Sequence, residues 1–337
     1  MNRDKLRERL GADLLEYPVP KHANTLPYSL GGITLLGFII LGVSGILLAQ
    51  YYNPLPESAY DSLEYIMGTA YLGWFLRGIH YWTAQIVMLT LILHVIRVVI
   101  TASYKKPREV TWYVGVGLFA ATYLGTLFTG TVLKWDQEGY EALHHSAELM
   151  EFLGPLGFWL SPEFAETVPL LTRVFIAHIS ILPLLLFLLV ILHFFLVKAH
   201  KISPHPLQSN DETSKFTEHL KLLARYGLSL LFVASLLALL IGPPLGARPV
   251  EGFETGVKPW WMYLWYYALE NEIGLKAILY GVIALFAVLL LIPLIDRGEE
   301  LHPARRKPVI AVFAATLLIL VVLSIYGYTA EIKVHVS

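Results

Sequence analysis

The sequence predicts an all-α polytopic membrane protein, and three observations carry that expectation. Of 337 residues, 56% are hydrophobic and only 15% charged, with a mean hydropathy of +0.59, which is too apolar for a soluble globular chain of this size. Seven apolar stretches are long enough to cross a bilayer, for which about 20 helical residues are needed. The Lys and Arg residues alternate from loop to loop, the pattern that sets orientation in a membrane. The bilayer is therefore the expected solvent, and a net charge of −1 leaves no overall basic surface for nucleic acid.

The N-terminal segment 1–30 carries Arg3, Lys5, Arg7, Arg9 and Lys21 among acids and leucines, without an apolar core of signal-peptide length. It reads as an amphipathic segment on the cytoplasmic surface. Spans follow at approximately 31–50, 79–101, 112–133, 171–197, 226–243, 274–295 and 308–328. Lys105, Lys106 and Arg108, then Lys198, Lys201, Lys215, Lys221 and Arg225, then Arg297, Arg305, Arg306 and Lys307 fall on the same side as the N-terminus. That side is expected to be cytoplasmic, in a cell inner-membrane setting, with Ser337 outside. The opposite loops hold Asp136, Glu138, Glu141, Glu148, Glu151, Glu163 and Glu166.

Two outer segments are longer than a simple connection requires. Segment 134–170 has helical patterning, and 244–273 contains Pro243, Pro244 and Pro259 near Trp260, Trp261, Tyr263, Trp265, Tyr266 and Tyr267. Long ordered loops in a compact bundle are more often functional than idle, and the aromatic cluster reads either as a headgroup-level belt or as the wall of a ligand site. A polar stretch, 203–224, with Gln208, Ser209, Asn210 and Asp211, reads as a surface linker. It divides a four-helix domain, 31–202, from a three-helix domain, 225–337.

Histidine is the residue that carries chemistry. There is no cysteine, which excludes structural disulfides, thiolate-held zinc, self-ligated iron–sulfur clusters and thioether-attached haem. Of twelve histidines, four sit inside apolar spans, where an ionisable ring is costly and marks function by default. Fourteen residues separate His80 from His94, which returns the second ring to within roughly 40° of the first and about 21 Å further along. Fifteen separate His178 from His193, for roughly 60° and about 22 Å. The two helices run in the same direction, so His80 levels with His178 and His94 with His193. Each level supplies two axial nitrogens to one iron, and the expectation is a four-helix bundle around two stacked b-type haems, none covalently held. Two histidines per level are too few for zinc. Gly31 and Gly45 in the first span, with Gly115 and Gly130 in the third, have nearly the same separation and admit a porphyrin edge, ordinary close packing being the alternative. Arg77 and Arg97 are placed to pair with propionates, or else to anchor helix ends.

These residues resemble the cytochrome b of quinol-oxidising bc-type complexes, most closely its plastid-type branch. The resemblance rests on Tyr28 to Ile33 (YSLGGI), Arg77 to His94 with Val95-Ile96-Arg97, Lys105 to Trp112 (KKPREVTW), Trp135-Asp136-Gln137 with Gly139-Tyr140, and Leu171-Thr172-Arg173. The fifteen-residue histidine step is plastid-type, and the last three spans are similar to the separate small subunit of that complex, fused here. The resemblance implies haem ligation by His80/His178 and His94/His193, and quinone (menaquinone or ubiquinone) as substrate. It also implies an outer oxidation pocket, an inner reduction pocket, a Rieske-type iron–sulfur or cytochrome c-type partner, and a homodimer within a larger complex; Lys105, Lys106, Arg97, Ser29 and His22 are expected near that inner pocket or the inner haem.

Three departures matter. Ser29 stands where the plastid type has a haem-tethering cysteine, Lys134 where the family has proline, and Pro259-Trp260-Trp261-Met262 where it has Pro-Glu-Trp-Tyr. The missing glutamate is the family's acceptor for the quinol proton, a role that needs a titratable group. Glu270, Glu272, Asp136 and Glu254 are candidate proton carriers in its stead. The expected function is a di-haem subunit of a respiratory complex that passes electrons between quinone and a redox partner. A Rieske-partnered bifurcating oxidoreductase, a non-bifurcating haem wire and a haemless transporter with a histidine proton relay stand as alternatives.

Overall fold

A computed structural model describes residue 9 and residues 16–208, 211–253 and 255–331. Arg3, Lys5, Arg7, Ser209, Asn210, Glu254 and Ser337 lie outside the described residues. The chain is almost wholly helical, with seven helices long and apolar enough to cross a membrane, so it is an integral membrane protein.

A short strand β1 (Pro18–Pro20) leads into α1 (Leu26–Leu48), α2 (Pro56–Gly68), α3 (Gly73–Ile100), α4 (Glu109–Val132), α5 (Gln137–Glu151) and α6 (Leu170–His200). Strand β2 (Thr213–Lys215), α7 (Phe216–Leu240), α8 (Leu264–Ile273), α9 (Lys276–Ile295) and α10 (Lys307–Thr329) complete it. All but α2, α5 and α8 are membrane helices. Their outward faces are apolar, Ile46, Phe187, Phe195, Leu240 and Leu318 being more than half exposed, as lipid-facing side chains must be.

The first six helices form the histidine-bearing bundle. α7 lies across it, its glycine-mediated contacts being so close that a Cβ at Gly32 would fall 2.6 Å from Leu223, and one at Gly78 2.6 Å from Ala238. α8, α9 and α10 pack against α4 through a core in which Trp112, Phe119 and Tyr123 meet Tyr263, Trp265, Leu289 and Phe313. Burial of such rings is the main favourable term available inside a bundle. Tyr263, Trp265 and Tyr267 are therefore core residues, which corrects the belt reading for these three. Trp261, 44% exposed, stays at the surface.

Two parts differ from the sequence reading. The stretch 203–224 is not a plain surface linker, because β2 pairs antiparallel with β1, Val19 opposite Ser214, and α7 begins at Phe216 rather than near 226. The helix α2 was not anticipated, although Pro56 at its first turn and buried Ala59, Leu63 and Ile66 on one face are an ordinary amphipathic signal.

On one side of the molecule the two halves are tied by charge. Asp296, just past α9, meets Lys105 at 2.8 Å and Arg306 at 2.9 Å, and accepts Tyr104 Oη at 2.5 Å. Arg306 also donates to the Val99 and Ile100 carbonyls that end α3. Burial pushes the Asp296 carboxyl up, but the bonds from Lys105, Tyr104 and Arg306 outweigh it and hold its pKa below the usual value.

Candidate functional site: two histidine tiers

The four intramembrane histidines converge in two levels. The His80 and His178 rings lie with centroids 6.5 Å apart, which two metal–imidazole bonds of about 2 Å plus half the depth of each ring would span. His94 and His193 form the second level, within electrostatic reach of one another.

Each ring is backed by one of the four glycines. A Cβ added at Gly45 would lie 3.3 Å from His80 Cε1, at Gly130 3.2 Å from His178, at Gly31 2.9 Å from His94 and at Gly115 3.4 Å from His193. Each imidazole thus packs edge-on to a neighbouring backbone where a larger residue would push it aside. Gly31 opposes His94 and Gly45 opposes His80, so α1 and α3 run antiparallel, and the same pairing holds for α4 and α6.

The unequal spacing has a local cause. α4 contains a π-helical segment, Ala121–Leu127, and α6 another, Ala177–Ile181, which includes His178. A π-turn takes one extra residue into an α-helix. Fifteen steps on α4 and α6 therefore match fourteen on α1 and α3, and the roughly 60° drift expected for α6 is corrected by this turn.

Hydroxyls back the imidazoles of the first tier. Ser44 Oγ lies 2.9 Å from His80 Nδ1 and gives its own proton to the Ile40 carbonyl at 2.7 Å. Thr129 Oγ1 lies 2.8 Å from His178 Nδ1 and donates to the Gly125 carbonyl at 2.8 Å. When each hydroxyl gives its proton to the carbonyl of its own preceding turn, Nδ1 is the donor and the Nε2 lone pair is left for a metal. Ser44 and Thr129 were not singled out from sequence, although each immediately precedes a paired glycine. The second tier is less determined. The Arg97 Nη2 contact to His94 Nδ1 is long at 3.4 Å, and His193 is buried with the Thr111 backbone beside it.

The two arginines take different roles. Arg77 is buried and donates to the Pro243 and Pro244 carbonyls past the end of α7, at 3.3 and 2.8 Å, so it anchors a helix end. Arg97 donates to Ser103 at 3.1 Å and lies over the Tyr28 ring at 4.7 Å, while its Nε is buried without a partner. An orphaned guanidinium nitrogen beside the His94 tier suits an anionic group such as a propionate. The residues present therefore fit two bis-histidine haems, the His80 tier in full detail and the His94 tier in outline.

Around Arg97, His22 contacts the Ser203 carbonyl at 3.0 Å and stacks edge-on to Tyr28 and His205, with centroids 4.6 and 5.6 Å away. Burial holds the His22 imidazole below its usual pKa, opposed by the Ser203 bond and helped by His205 and Arg97. Ser29 is fully buried and bonded to the Thr25 carbonyl at 3.0 Å. Lys105 is part of the Asp296 cluster and also donates to the Gly298 and Glu300 carbonyls.

Among the expected proton carriers, Asp136 is a structural cap. Its two oxygens accept the Gly139 and Gly246 amides at 3.0 and 2.8 Å, and Lys134 lies 3.3 Å away. Glu270 is buried with His145 Nδ1 at 3.4 Å, and Glu272 accepts from Tyr326 Oη at 2.6 Å.

Comparison with known proteins agrees with this geometry. Residues 14–201 match the family model described as cytochrome b/b6/petB, and residues 249–336 match the cytochrome b (C-terminal)/b6/petD model. The cytochrome b6 of Heliobacterium modesticaldum is 36% identical over 199 residues, covering 58% of this chain and 93% of its own length. That of Mastigocladus laminosus is 38% identical over 200 residues, 58% and 92%. Among solved structures, a hyperthermophilic respiratory Complex III matches with a TM-score of 0.82 and 28% identity, over 98% of this chain and 90% of the other. With family matches on both halves and haem-ready histidines between the membrane helices, the chain belongs to the cytochrome b family of haem b-binding membrane proteins.

Proposed function

We propose that this chain is the di-haem b subunit of a complex III-type respiratory assembly, carrying electrons between quinone and a redox partner across the membrane. The observation that carries this reading is the double tier of paired histidines, each backed by its own glycine. The near full-length likeness to a respiratory Complex III supports membership of a larger membrane complex, with a Rieske-type or cytochrome c-type partner and a homodimeric arrangement. The alternation of basic loops supports a cytoplasmic N-terminus, which makes the His80/His178 tier outer and the His94/His193 tier inner. A join between His200 and Phe216 divides the haem half from the three-helix half, and the two family matches fall on either side of it.

When bound, haem supplies one-electron redox chemistry. The protein does the rest: His80, His178, His94 and His193 would hold the two irons, Ser44 and Thr129 back the outer imidazoles, and Arg97 places positive charge at the inner level. The apolar walls exclude water, so protons move only where titratable groups stand. The Trp260 departure favours one second reading, a non-bifurcating wire that lacks an outer quinone site. The purified complex decides between them. Two b-type haems per chain and quinol-driven haem reduction that outer-site inhibitors block are expected for the bifurcating enzyme; insensitivity to those inhibitors identifies the wire, and absence of b-type bands removes both.

A further inference from the structure

Position 260 holds tryptophan, and an indole accepts no proton. The structure puts a carboxylate directly beside it. Glu138, in the first turn of α5, accepts the Trp260 backbone amide through Oε1 at 2.9 Å, while its Oε2 is paired with Lys134. The Trp260 ring stands edge-on to Tyr81 at 6.0 Å, and Tyr81 directly follows the ligand His80 on α3. The Glu138 charge acts on both Tyr81 and Tyr263. Its side chain is 14% exposed, mostly shielded yet still in touch with its surroundings.

The neighbouring acids are committed elsewhere. Asp136 caps α5 and receives the Gly246 amide, and Glu141 accepts the Thr255 and Val257 amides at 2.7 and 3.3 Å. Glu138 differs because its cationic partner is shared, Lys134 also lying 3.3 Å from Asp136. When Glu138 takes a proton, Lys134 keeps a carboxylate beside it, and no buried charge is left uncompensated. The carboxyl continues to accept the Trp260 amide throughout.

We infer that Glu138 is the acceptor of the quinol proton on the outer side, supplying from α5 the acid function that residue 260 lacks. This rests on the quinol reading above. In the step, the O–H bond of a quinol hydroxyl breaks, its proton bonds to a Glu138 oxygen, and the electron passes to a one-electron oxidant, either the ferric outer haem or a partner's iron–sulfur centre. Glu138 then releases the proton to outside water. Lys134, Asp136, Tyr81 and Tyr263 are the charged and titratable groups that face it.

The test uses the intact purified complex with a short-chain quinol. Glu138→Gln keeps the amide acceptor and the shape but takes no proton. It is expected to keep both haem bands and full reduction by dithionite, to slow quinol-driven haem reduction by about 10²-fold, and to regain most of that rate when combined with Trp260→Glu. Wild-type turnover in Glu138→Gln overturns the assignment and leaves the quinol reading standing. A loss that Trp260→Glu does not recover makes Glu138 a structural residue and overturns it equally. Glu138→Asp decides the matter if the Gln variant fails to assemble: a displaced acid limb in the pH–rate profile supports the assignment, and an unmoved one refutes it. A wild-type complex whose haems quinol cannot reduce sinks this assignment and the quinol reading together.

Discussion

At the scale of single residues, the site is a set of ring-to-glycine contacts with little slack. A Cβ at Gly31 would already sit 2.9 Å from His94, so the two further methyl carbons of valine would displace the imidazole. Gly31→Val is therefore expected to lose or weaken the inner haem, and His94→Leu to abolish it, both leaving the outer haem; haem-to-protein ratios from visible spectra measure this, and two full haems in His94→Leu would contradict the ligand assignment. The histidines were legible in sequence because a polar ring in an apolar span is costly unless it has work. Ser44 and Thr129 were not, since a hydroxyl within a helix ordinarily bonds its own preceding turn, which both also do. Glu138 was hidden for a different reason: its meaning lies in a contact with Trp260, 122 positions away, and a single sequence shows no such neighbour. The amide that Asp136 accepts from Gly246 was equally out of sight, since it comes from across the fold.

At the scale of elements, the seven spans were readable from apolar length, and the ends were not. α3 starts at Gly73 and α7 at Phe216, earlier than hydropathy indicated, because the first turns of each are too polar or mixed to register as membrane. The π-turns were invisible as well, although the fifteen-residue step on α6 was their trace. They give a sharp expectation. Deleting Ser180 removes the extra residue from the Ala177–Ile181 turn and lets α6 close into continuous α-helix with His178 and His193 still aligned, so both haems should be retained. Deleting Leu89 from α3, which has no residue to spare, rotates His94 by about 100° and should cost the inner haem. Haem content of the two deletions, compared side by side, checks the account; loss of a haem in the Ser180 deletion would refute it.

At the scale of the whole molecule, the two halves are one body joined at both ends of α3. On one side stand Lys105, Asp296 and Arg306, all at most 10% exposed. Asp296→Asn leaves two buried cations without their shared counter-charge, a change that costs about 3 kcal/mol, and a clear fall in the thermal midpoint of the purified protein is expected. The sign with pH follows from the depressed carboxyl. Its stabilising contribution is complete above the unfolded value of 3.8 and is lost as pH falls through the lower folded value. The seam should thus hold at neutral and mildly acidic pH and yield only below about pH 4, as thermal scans across pH would record.

At the opposite end, Arg77 grips the carbonyls of Pro243 and Pro244, while Arg306 grips those of Val99 and Ile100. The helix that carries one histidine of each tier is consequently moored top and bottom to the other half of the chain, like a mast stayed fore and aft. Electron hopping weakens steeply with distance, so a spacing that could stretch would make a noisy conductor. On the proposed reading, the three C-terminal membrane helices, which contribute none of the four histidines, are the frame that keeps the spacing of the two tiers constant.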